Sequence, residues 1–145
     1  LETVRLRYFN IFGPRQDPSS PYSGVISIFT QRVQQGLPIS VFGDGEQTRD
    51  FFYVEDLVVL LTQALTASQA VEGAVNVGWN QAVSLNQLLA QIGGLCGGLP
   101  DVQYQAPRAG DIRHSRADNR RLQAQYQLPA ATPIGEGLRR LLAQG

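Results

Sequence analysis

A chain of 145 residues with 43% hydrophobic and 17% charged residues carries enough apolar side chain for one packed domain and is not a disordered tail. Twelve acidic residues balance twelve basic ones, which argues against an electrostatic interface with nucleic acid or an anionic membrane surface, because both use a large positive excess. All the basic residues are arginine, and His114 and Cys96 each stand alone, so a lysine Schiff base, a multi-histidine or multi-cysteine metal site and an internal disulfide are excluded within the chain.

No apolar run approaches the ~20 residues that cross a bilayer. The first ten residues, LETVRLRYFN, hold no signal core, so a reducing cytoplasm is the expected compartment. The chain has no methionine and starts directly on a strand-like segment. This start is expected of a piece of a longer protein.

In chain order, Val4 to Phe9 alternates and then turns apolar, which predicts a strand entering the interior. Asn10 to Gly24 is rich in Gly, Pro, Ser and Asp and reads as a long loop, a length more often functional than idle. Val25 to Gln35 has apolar residues at helical spacing and stops at Gly36. Ile39 to Phe42 reads as a strand, Gly43-Asp44-Gly45 as a turn, and Thr48 to Tyr53 as extended chain. Asp56 to Leu65 places its apolar residues on one helical face, and Ala74 to Val77 is a short strand. Ser84-Leu85-Asn86-Gln87 matches a helix-starting capping box. The helix that follows carries apolar positions 85, 88, 89, 92 and 95 and is weakened at Gly93-Gly94. Asp101 to Gln105 reads as a strand and Ala106 to Arg116 as an arginine-bearing loop. Asp118 is placed to cap a short helix through Tyr126, and Pro133 to sit in the first turn of a last helix. The alternation of short strands and helices predicts an α/β class with α+β character. No G-x-G-x-x-G follows a strand; Gly43-Asp44-Gly45 precedes extended chain instead of a helix.

Three places concentrate polar groups that a plain core does not need. Asn10, at a strand end, offers a donor and an acceptor to a ligand, although asparagine also starts turns for backbone reasons alone. Arg49, inside an aromatic stretch, can hold phosphate through two parallel hydrogen bonds. A structural ion pair with Asp50 or Asp56 would explain it equally well. Residues 108–121 hold five arginines and two aspartates, an excess suited to a small anion; a solvated loop is the alternative. His114 lacks a nucleophile motif beside it and reads as a surface or hydrogen-bonding residue. Cys96 reads as a buried, unreactive thiol.

The runs Leu6-Arg7-Tyr8-Phe9-Asn10-Ile11-Phe12-Gly13-Pro14-Arg15-Gln16-Asp17-Pro18, Val41-Phe42-Gly43-Asp44-Gly45-Glu46-Gln47-Thr48-Arg49-Asp50-Phe51 and Arg108-Ala109-Gly110-Asp111-Ile112-Arg113-His114-Ser115, in this order and spacing, resemble the extended short-chain dehydrogenase/reductases that act on nucleotide sugars. Tyr53-Val54-Glu55-Asp56-Leu57 and Ala117-Asp118 extend the match. Arg15 to Pro18, with Tyr22 and Val25-Ile26, resembles the UDP-N-acetylglucosamine/UDP-glucose 4-epimerase branch of the NAD-dependent epimerase/dehydratase family. The resemblance implies a two-part enzyme. The Rossmann part, with its glycine fingerprint and Tyr-x-x-x-Lys pair, has no counterpart in this sequence, so residues 1–145 resemble the C-terminal, substrate-binding part.

It further implies that Asn10 lies at the substrate's diphosphate, that Gly24 and Val25 offer backbone groups and Phe29 an apolar contact around the nucleotide, and that Ser40 and Phe42 line the uracil and ribose pocket. Arg49 and Arg108 would clamp the diphosphate. Asp111 would hold ribose hydroxyls or orient an arginine, and Tyr8 would lie near the nicotinamide of NAD. No catalytic residue and no metal ligand is expected in this chain. The implied reaction is 4-epimerisation of a UDP-sugar through NAD-dependent oxidation and reduction at C4. The alternatives are a 4,6-dehydratase, a UDP-glucuronate decarboxylase or a non-catalytic nucleotide-binding module. The whole enzyme would be a homodimer and this chain an inactive monomer.

Overall fold

The computed structural model describes residues 3–17, 19–20, 24–67 and 73–143; Pro18 and Tyr22, which carry part of the epimerase resemblance, lie outside the described residues. Two apolar cores organise the chain. β5 (Phe51–Tyr53) runs between them, and its residues alternate as a strand must. Phe51 and Tyr53 enter a core with Phe12, Ile26, Phe29, Ile39, Val41, Leu88, Ile92 and Leu138. Phe52 enters the other, with Leu60, Val75, Val77, Leu122 and Tyr126. This double burial explains why the segment is apolar at every position.

Strand pairing is mostly parallel, and the paired strands are far apart in sequence. β1 (Arg5–Tyr8) pairs with β6 (Ala74–Val77), β2 (Asn10–Phe12) with β5, and β3 (Ile39–Phe42) with β8 (Val102–Gln105), all parallel. β4 (Thr48–Arg49) pairs antiparallel with β7 (Val83–Ser84). Parallel partners need long connections, and α2 (Val54–Thr66) lies on the one from β5, the partner of β2, to β6, the partner of β1. The architecture is α/β.

The chain changes partner between β1 and β2. Phe9 N still donates to Val77 O at 3.1 Å, and Asn10 N donates to Asp50 O at 3.1 Å. Asn10 thus begins a strand and not the long loop expected of it. Ile11 and Phe12 find partners in Phe52 and Tyr53, and the turn residues take over only from Gly13.

α1 (Val25–Gln34) ends at Gly36, which takes φ +65°. α3 (Leu85–Cys96) starts from the expected box. Gln87 N donates to Ser84 Oγ at 3.1 Å, and Ser84 N donates to Gln87 Oε1 at 2.9 Å. The helix passes through Gly93 and Gly94 and stops at left-handed Gly97, with Gly98 N donating back to Gly93 O. Three further expectations are corrected. α4 (Arg120–Gln125) is preceded by Asn119 as cap residue, while Asp118 accepts from Arg120 N just outside it. Pro133 is the cap residue of α5 (Ile134–Leu142) and lies outside its first turn. Cys96, at the last position of α3, is exposed because the apolar face of that helix ends at Ile92.

Candidate functional site

The carboxylate beneath the site is Asp50, which is fully buried. Its oxygens accept from the backbone N–H groups of Trp79 and Asn80 at 2.9 Å and of Ala117 at 3.0 Å. Its carbonyl accepts from the backbone N–H and the side-chain amide of Asn10. One residue therefore ties the end of β6, the approach to α4 and the start of β2 together. With all these donors pointed at it, the buried charge is satisfied.

Asp50 leaves Arg49 to another partner. The Arg49 side chain is 17% exposed and donates to Asp111 Oδ1 at 2.8 Å, to Ile112 O at 2.7 Å and to Thr48 O at 2.9 Å. The structural alternatives for Arg49 are thus corrected. Asp50 serves backbone amides, and Asp56 holds Thr132 through its hydroxyl and N–H. Of the two roles expected for Asp111, the structure displays the orientation of an arginine.

Residues 106–115 form a strap that crosses from β8 back to β4. Asp111 N donates to Arg108 O in a turn completed by Gly110 at φ +81°. The strap is stitched down where Thr48 N donates to Arg113 O and Ser115 N to Thr48 O. His114 Nδ1 lies 3.1 Å from Thr48 Oγ1, the hydrogen-bonding role expected of it. Arg113 grips Asp44 of the Gly43–Gly45 turn with two hydrogen bonds of 2.7 and 2.8 Å.

This guanidinium, helped by the Glu46 backbone N–H, holds the Asp44 carboxyl at about 2, well below its ordinary 3.8. A carboxyl lowered on folding keeps its partner above its free value and releases it as pH falls through the lowered one. The grip is therefore expected to persist at pH 4 and to open only as pH approaches 2. An NMR titration of the Asp44 carboxyl carbon checks this. Arg113→Ala should return the midpoint toward the ordinary value, and an unchanged midpoint in that variant would refute the assignment.

Between α1, β3 and the strap lies a cleft of about 670 Å³ lined by Asn10, Val25, Phe29, Ser40, Phe42, Arg49, Arg108 and Asp111, among others. Eight of the nine residues expected at a substrate thus meet in one hollow. Gly24 is not among them. It is the cap residue of α1, and its carbonyl accepts from Ser27 Oγ at 2.8 Å. Tyr8 stands apart in a shallower adjoining hollow, which shares Asn10, Arg49 and Asp111. The Arg108 guanidinium carbon lies 3.6 Å from the centroid of the Phe42 ring, a cation–π contact that keeps it over the cleft.

Among the lining residues that the sequence did not point to, Arg32 and Gln47 carry polar side chains. Arg32 was legible in the periodicity, since 25, 28, 29 and 32 share one helical face. Gln47 carried no local signal; only its burial distinguishes it.

The arrangement suits an anion with a flat polar ring attached. Arginine can grip phosphate oxygens in pairs. Among the described residues, β3 has a strand partner on one edge only. Ile39 N and Gly43 N donate toward β8, so by alternation Ser40 and Phe42 present their backbone groups along the other edge. Among the described residues, no group of three or more His, Cys, Asp or Glu is placed to hold a metal, and no helix is long and apolar enough to cross a membrane.

A family model described as the NAD dependent epimerase/dehydratase family matches residues 1–78. The UDP-glucose 4-epimerase of Mycolicibacterium smegmatis is 34% identical over 139 residues, which are 95% of this chain and 44% of that protein. The UDP-N-acetylglucosamine 4-epimerase of Methanobrevibacter ruminantium, solved in complex with UDP-N-acetylmuramic acid, matches with a TM-score of 0.91 and 36% identity over 99% of this chain and 46% of that one. The Thermus thermophilus UDP-glucose 4-epimerase, solved with NAD, gives 0.87 and 34% over 99% and 46%. The chain spans less than half the length of each of these relatives. With the family model covering more than half of it, the chain belongs to the NAD dependent epimerase/dehydratase family.

Proposed function

We propose that residues 1–145 form the substrate-binding part of a nucleotide-sugar 4-epimerase and hold a UDP-sugar in the cleft between α1, β3 and the strap. The observation that carries this reading is the meeting of Arg49 and Arg108, 59 positions apart in sequence, on one hollow that also contains Asn10 and the open edge of β3. A diphosphate needs its charge met from more than one side, and two arginines from separate stretches can do so. The open edge of β3 offers N–H and C=O groups to a base that carries both acceptors and a donor. The relatives described above are named for UDP-sugars, which supports the same substrate class.

NAD supplies the family with a hydride acceptor at the reacting carbon. The fit of these residues to NAD is partial. The sequence has no glycine-rich turn opening a helix and no lysine, so neither the phosphate-cradling turn nor the Tyr-x-x-x-Lys pair is present. Tyr8, half exposed at the end of β1, offers NAD a flat ring edge. The contribution of this chain is positional: it fixes the nucleotide away from the reacting carbon, so that remote binding energy sets the geometry there.

Calorimetry on the chain tests the reading. UDP should bind measurably more tightly than uridine, because the arginines act on the diphosphate. The chain should not interconvert UDP-glucose and UDP-galactose even with NAD added. Equal affinity for uridine and UDP would contradict the clamp, and turnover would contradict the division of labour.

A further inference from the structure

The two arginines on the cleft are held in different ways. Arg49 spends N–H donors on Thr48 O, Ile112 O and Asp111 Oδ1. The Arg108 side chain makes no hydrogen bond and no ion pair among the described residues; its guanidinium carbon lies 3.6 Å from the centroid of the Phe42 ring. The backbone around it gives little support, since residues 106–111 of the strap are all exposed.

Phe42 reaches Arg108 because of the way β3 turns it. Ile39 and Val41 enter the core, so Ser40 and Phe42 face away from it. A guanidinium carbon this close to a ring centroid is in van der Waals contact, which a guanidinium laid flat allows. One that aimed an N–H at the ring would keep its carbon farther off. Lying flat, Arg108 gives the ring its face and keeps its in-plane N–H fork open, and that fork is the part that grips phosphate in pairs.

Without the ring, the guanidinium has another place to go. Phe42 and Arg108 line both the cleft and an adjoining hollow of about 370 Å³, and Asp44 lines that second hollow. An arginine turned toward this carboxylate has its charge offset before a ligand arrives. One left free loses its rotamer freedom when the ligand immobilises it, whereas one already laid on the ring has lost it beforehand.

We propose that Phe42 is a positioning residue for phosphate: its ring holds the Arg108 guanidinium flat between the two hollows, with the donor fork open to the diphosphate. This inference rests on the nucleotide reading given above. It adds that a ring expected beside the uracil and ribose sets affinity at the phosphate end.

Calorimetric titration of the chain with inorganic pyrophosphate and with UDP tests it, because pyrophosphate has no base for the ring to touch. Phe42→Leu should weaken pyrophosphate binding about fivefold. Phe42→Tyr keeps the ring and should stay within about twofold of the native chain. In an Arg108→Ala background, adding Phe42→Leu should cost less than about twofold more, because the ring acts through the guanidinium. Phe42→Val, β-branched and suited to a strand, serves if the leucine variant fails to fold. Unchanged pyrophosphate affinity in a folded Phe42→Leu or Phe42→Val chain would overturn the role of Phe42, as would an undiminished effect of Phe42→Leu in the Arg108→Ala background. Either result leaves the nucleotide reading standing as long as UDP binds. If the native chain binds neither pyrophosphate nor UDP, the nucleotide reading fails, and this inference fails with it.

Discussion

Arg49→Ala is expected to weaken UDP binding by about 10- to 100-fold, the range for losing hydrogen bonds to a charged group. Two effects combine. The guanidinium is one of the two proposed to meet the diphosphate, and it also ties the strap to β4 through Ile112 O and Asp111. Without it, the strap that carries Arg108 loses an anchor. Arg49→Lys keeps the charge but not the fork, so it should recover only part of the loss. Arg113→Ala serves as a control, since Arg113 grips Asp44 outside the main cleft. Calorimetric titration with UDP reads all three. A change below about twofold for Arg49→Ala would remove Arg49 from the site. In a whole enzyme the same substitution should weaken UDP-sugar binding more than NAD binding.

Asp50→Ala should be the most destabilising single change in the neighbourhood of the site. It strips the acceptor from three backbone N–H groups at Trp79, Asn80 and Ala117. Orphaned buried donors cost about 1–3 kcal/mol each, and some of that cost is relieved by relaxation, so a loss of about 3–5 kcal/mol is expected. That is a large part of the stability of a domain of this size. Asp50→Asn keeps an oxygen and should lose less. Urea unfolding followed by circular dichroism measures both. A loss under about 1 kcal/mol for the alanine variant would show that solvent or a shifted backbone replaces the carboxylate.

The sequence carried most of the elements because their signals are local. The box at Ser84 to Gln87 and the stop at Gly36 depend on neighbouring residues. The misreadings depend on partners far away. Asn10 to Phe12 looks like the start of a loop until Phe51 to Tyr53 is laid beside it. β7, at Val83–Ser84, is a strand only because Thr48 and Arg49 pair with it. At the site, the resemblance named nine residues around one ligand, eight of which line one hollow; spacing alone could not have grouped them. It did not assign the partner of Arg49, which lies 62 residues away in the strap. Nor did it distinguish Gln47, whose buried amide donates to the Phe42 carbonyl.

The most direct measurement is a crystal structure of this chain soaked with UDP at neutral pH. The expected result is one diphosphate contacted by the side chains of both Arg49 and Arg108, with the uracil lying along Ser40 to Phe42. A diphosphate held by neither arginine, or a nucleotide seated away from the hollow between α1, β3 and the strap, would contradict it.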